Sequence, residues 1–150
     1  MRGFSLIEVL VTTGILSIIG ASTVWLGLDT LGRFHSREDS ELVWDALIRA
    51  RTKALNGVCI HASCTEAAAH GVWVSEGAIV LFEGSSFSSR KLQSDERMER
   101  SNAPNGVTQS EVVFNPHVGT VASTVAILVV GTQEQTRRII VHANGALDME

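Results

Sequence analysis

Glu8 stands out among the residues able to do chemistry, because it is a lone carboxylate at the head of a long apolar run. Cys59 and Cys64, five positions apart, can close a disulfide or, with His61 and His70, supply metal donors. The spacing is not that of a usual zinc knuckle, and an oxidising compartment favours the disulfide. Ser85, Ser86, Ser88 and Ser89 crowd one stretch, but no Gly-x-Ser-x-Gly elbow accompanies them. A phosphate-cradling Gly-Lys-Ser/Thr sequence is also missing. Asp95, Glu96 and Glu99 alternate with Arg97 and Arg100 and read as a solvated charge run. Arg49, Arg51 and Lys53 read as the solvated end of a helix rather than a nucleic-acid patch. His35, His117 and His142 sit in unrelated contexts. No nucleophile–base pattern emerges, so the expectation is a non-enzymatic protein with no cofactor and no resident metal.

The elements that must position these residues divide the chain in two. Val9 to Leu28 is a run of 20 residues with no charge and no proline. At about 1.5 Å per residue it measures roughly 30 Å, the depth of a bilayer's hydrocarbon core. The whole chain of 150 residues has a formal charge of −4, which argues against a generally basic nucleic-acid binder. Past Leu28, Val43, Ala46, Leu47, Ala50 and Ala54 form an apolar stripe at helical spacing, and Asn56-Gly57 supplies a stop. One helix over 4–55 is therefore predicted, with Gly27 to Gly32 the place for a bend or break. Beyond it, 58–61, 71–75, 78–82, 111–114, 124–130 and 137–142 read as strands, and 83–106 as a long loop with local helix. The predicted fold is α+β, a long N-terminal helix packed on a mostly antiparallel sheet. Its parts are an apolar membrane-spanning helix at 4–28, an amphipathic helix at 29–56 and a β-rich head at 57–150.

Three readings compete for the apolar end. A cleaved secretory signal has a small-residue site at Ile19-Gly20-Ala21, but it leaves a carboxylate inside the apolar region. A plain signal anchor, oriented by Arg2, leaves Glu8 equally unexplained. The third reading gives Glu8 a purpose. Met1-Arg2-Gly3-Phe4-Ser5-Leu6-Ile7-Glu8-Val9-Leu10 resembles the processing site of the type IV pilin-like family. That family's pattern is a basic leader, glycine, an aromatic residue, a hydroxyl residue, aliphatics, and Glu four residues after the new N-terminus. A buried charge is tolerable only when paired, and an amine freed at Phe4 of one copy can meet Glu8 of the next.

The resemblance implies a prepilin leader at 1–3, cleavage between Gly3 and Phe4 by a prepilin peptidase, and N-methylation of Phe4. It also implies a single-pass location in the inner membrane with the head in the periplasm, then entry into a pilus or pseudopilus. Partners would be other pilin or pseudopilin subunits and an inner-membrane assembly platform. Ala50-Arg51-Thr52-Lys53-Ala54, Gly71-Val72-Trp73-Val74, Val113 to Gly119 and Arg137 to Gly145 are similar to the GspH/FimT-like minor members. Members of that type serve protein secretion by the type II system or build type IV pili, at or near the filament tip. The alternative is a DNA-binding minor pilin of natural transformation. DNA-binding members carry a basic Gly-Arg-x-Arg element, whereas Gly145-Ala146-Leu147-Asp148 lacks both arginines.

Overall fold

A computed structural model describes residues 5–59, 66–100, 106–130 and 136–150; the side chains of 23–36, 128 and 130 lie outside the description. Among the described residues a single α-helix, α1, runs from Leu6 to Leu55 and is followed by seven strands. Its 50 residues make it about 75 Å long. The helix continues unbroken through Gly27 and Gly32, where a bend or break was expected. Among the described residues no helix is long and apolar enough to cross a membrane. The span expected over 4–28 is described, side chains included, only from Ser5 to Ser22.

α1 ends in a Schellman cap. Gly57 adopts φ 59°, a left-handed conformation that glycine enters without strain. Its N–H donates to Ala54 O and that of Val58 donates to Lys53 O, both at 3.0 Å. This cap corrects the strand expected at 58–61. Val58 is spent closing the helix and Cys59 is not in a strand, while residues 60 and 61 lie outside the description.

The head has two antiparallel sheets where one was expected. The first has the order β3-β2-β1-β4 and the second β5-β6-β7. β1 is His70–Val74, β2 Ala78–Glu83, β3 Glu96–Glu99, β4 Ser110–Phe114, β5 Val125–Val130, β6 Thr136–Val141 and β7 Leu147–Met149. The α+β class and antiparallel pairing thus stand. β3 falls inside the stretch read as a loop, beside a 3₁₀ turn at Leu92–Ser94. β7 was not foreseen.

Alternation along the strands explains the core. Val72 and Val74, Ile79 and Leu81, Val112 and Phe114, Ile127 and Val129, and Ile139 and Val141 all point inward and are buried. They meet Val43, Ala46, Leu47, Ala50 and Ala54 of α1, each 0% exposed. Three alanines on that stripe let the helix lie close to the sheets. β2 is buried on both faces, because the segment after it folds back over the outer side of the first sheet. There Phe87 stacks on Trp73 at 4.7 Å and meets Phe82 edge-on at 5.7 Å. The Phe82 ring lies over Gly71, where an added Cβ would come within 2.3 Å of ring carbon Cζ.

Candidate functional site

The site singled out by sequence lies at the start of α1. Ser5 occupies the N-cap in an extended conformation, φ −73° and ψ 141°. Its carbonyl accepts from Glu8 N–H at 3.0 Å and from Val9 N–H at 3.3 Å. Glu8 therefore sits in the first helical turn, where the positive end of the helix dipole favours a carboxylate. It is exposed, and its carboxylate has no partner among the described residues. Gly3 and Phe4, the expected cleavage and methylation positions, lie outside the described residues.

Among the described residues nothing covers the helix around Glu8. Leu6, Ile7, Val9, Leu10, Val11, Ile15, Leu16, Ile18 and Ile19 are all exposed, Leu6 at 82% and Ile18 at 73%. With 3.6 residues per turn these positions surround the helix rather than forming a stripe. The polar residues between them turn inward on their own backbone. Thr12 Oγ1 donates to Glu8 O at 2.9 Å, Thr13 Oγ1 to Val9 O at 2.9 Å, and Ser17 Oγ to Thr13 O at 2.8 Å. Ser22 Oγ donates to Ile19 O at 2.8 Å. Each hydroxyl is satisfied internally, as an apolar environment demands. The surface left over is methyl groups, two glycines and one carboxylate.

Where α1 meets the head, a buried ion pair fixes it. Arg100 Nη2 donates to Asp39 Oδ2 at 2.7 Å, with the two side chains 1% and 0% exposed. Arg100 Nη1 also donates to Ser75 O at 3.2 Å and Glu76 O at 3.1 Å. This corrects, at Asp95 and Arg100, the reading of 95–100 as a solvated charge run, while Arg97 and Glu99 are exposed. Arg90 Nε pairs with Asp95 Oδ2 at 2.8 Å, and Arg100 ties three segments together from inside. Sequence reasoning missed Asp39 and Arg100 because they lie 61 positions apart and neither belongs to a motif.

The basic end of α1 is largely neutralised by local acids. Arg49 pairs with Asp45 at 2.8 Å and with Glu96 at 3.1 Å, and Lys53 with Glu96 at 3.2 Å. The hydrogen bond and charge of Asp45, aided by Glu96, raise the pKa of the Arg49 guanidinium. Near the C-terminus His142 Nε2 lies 2.8 Å from Oδ2 of Asp148, the last residue of the stretch compared with the DNA-binding element.

Cys59 is disulfide-bonded; Cys64, the chain's other cysteine, lies outside the described residues. A bonded sulfur carries no proton, so the 3.4 Å approach of Cys59 Sγ to Glu83 Oε1 is a contact rather than a hydrogen bond. Glu83 is buried and takes Lys91 Nζ at 2.9 Å. His70 is buried, and its Nε2 donates to Val58 O at 2.7 Å, which fixes the proton on that nitrogen. Among the described residues no three metal-ligating side chains converge.

Comparison with models of known protein families, with curated proteins and with solved structures returns no match.

Proposed function

We propose that this chain is a structural subunit of a type IV pilin-like filament, a minor pilin or pseudopilin built into a type IV pilus or the pseudopilus of type II secretion. One observation carries the reading. The first part of α1 is apolar on all sides, has its hydroxyls turned onto its own carbonyls, and bears in its first turn one carboxylate with no partner among the described residues. Such a helix is stable only when something apolar surrounds it, first lipid and then the helices of neighbouring copies. Glu8 then requires a cation, and an amine at Phe4 of a neighbour, freed by a prepilin peptidase, supplies one. The head stays on the periplasmic side and gives the subunit its contacts near the filament tip, where it supports assembly and secretion. DNA capture has weaker support, because Arg49 and Lys53 are engaged with acids and Asp148 stands where the DNA-binding pattern has arginine.

Glu8→Val tests the pairing. The variant should be processed normally and keep the stability of its head, yet co-purify with filament subunits several-fold less than the parent. Undiminished co-purification would contradict the role given to Glu8.

A further inference from the structure

β4 and β5 are neighbouring edges of two separate sheets, pinned together at both ends and parted between. At the turn, Asn115 N–H donates to Thr120 O at 2.8 Å. At the far end, Val107 bridges Val129. Continuing that register would set Glu111 opposite Val125 and Val113 opposite Ser123, but no ladder joins β4 to β5. β4 pairs only with β1, and Val125 pairs with Val141. The parted stretch opens on a cavity of about 290 Å³ between Glu111–Val113 and the segment running from Val121 into β5.

The acid lining this cavity is an exception in the head. Asp39, Asp45, Glu83, Asp95 and Glu96 are the other described carboxylates that are buried or half-buried, and each has an arginine or lysine partner. Half-buried Glu111 accepts the Phe87 backbone N–H at 2.7 Å, and among the described residues no cation joins it. A carboxylate partly withdrawn from water beside valines favours a cation with an apolar stem.

We propose that this cleft is a socket for one lysine or arginine side chain of a partner protein. The stem lies against Val113, Val121 and Val125, and the charged head pairs with Glu111. The cavity of about 290 Å³ has room for one long side chain. An anchor of this kind, seated in a preformed pocket, is how a small number of residues carries much of a protein interface. The socket is independent of the filament reading and stands or falls separately from it.

The test uses the full chain in detergent micelles with labelled valine methyls. The probe is an acetylated, amidated Ala-Lys-Ala tripeptide, with its norleucine counterpart and free butylamine as comparisons. The lysine peptide should shift the methyls of Val113, Val121 and Val125 saturably, and the norleucine peptide should bind at least about tenfold more weakly. Glu111→Gln keeps the acceptor for Phe87 N–H and should weaken lysine binding by a similar factor. Ala122→Trp, at an exposed position on the lining, should abolish it even if the first variant fails to fold. Absence of saturable shifts, or equal binding of the norleucine peptide, would overturn the proposal. Butylamine binding as tightly as the peptide would overturn the protein-partner assignment in favour of a small-amine site.

Discussion

Arg100 is where a single side chain has most leverage on the head. It places three donors on Asp39, Ser75 and Glu76, while its Nε is buried without an acceptor. Removing one member of a buried pair strands the other charge, at a cost of about 3–5 kcal/mol. Arg100→Met should lower unfolding free energy by that amount in urea titrations; a change under about 1 kcal/mol would show that water reaches Asp39. Joint replacement by Asp39→Leu and Arg100→Met should recover much of the loss, because two apolar groups leave no uncompensated charge. Glu8 differs in kind, being exposed in the protomer. Its replacement should leave unfolding of the head unchanged and affect only assembly. The sequence marks Glu8 plainly, as a charge among aliphatics. It conceals Asp39 and Arg100, since a pairing across 61 positions leaves no local trace.

At the scale of elements, periodicity carried most of the fold. The stripe from Val43 to Ala54 was legible because five apolar positions recur at helical spacing, and all five lie in the core. β1, β2, β4, β5 and β6 were legible from β-branched and aromatic runs between turn residues. β3 was not, because Glu-Arg-Met-Glu has the composition of a loop; its charges suit the outer edge of a sheet, where they discourage pairing with another chain. β7 is three residues long and too short to show a period. The serine-rich stretch after β2 has the composition of a loop, and Phe87 fastens it over the first sheet. Arg90 adds to this fastening by lying 3.7 Å from the centre of the Phe87 ring. Phe87→Ala should release the strap, costing about 1–3 kcal/mol for a half-buried aromatic. Trypsin should then cut after Arg90 or Lys91 several-fold faster while the core strands stay protected. An unchanged cleavage rate would mean that the backbone bonds of the strap hold it without the ring.

Taken whole, the molecule joins a packed head to a helix end that packs on nothing among the described residues. Among the described residues the side chains of α1 that pack on the head begin at Asp39 and Leu42, whereas the apolar side chains from Leu6 to Ile19 are exposed. Deleting residues 1–28 should therefore leave a head that unfolds cooperatively and elutes as a monomer without detergent, while the full chain needs detergent or lipid. Aggregation of the shortened chain would show that the apolar end contributes to the fold of the head. The most direct test of the central claim is the intact mass of the mature chain isolated from its host's membranes. A chain beginning at Phe4 and carrying one methyl group on its amine is the predicted result. A chain that retains Met1, or one cut beside Ala21, would contradict the account.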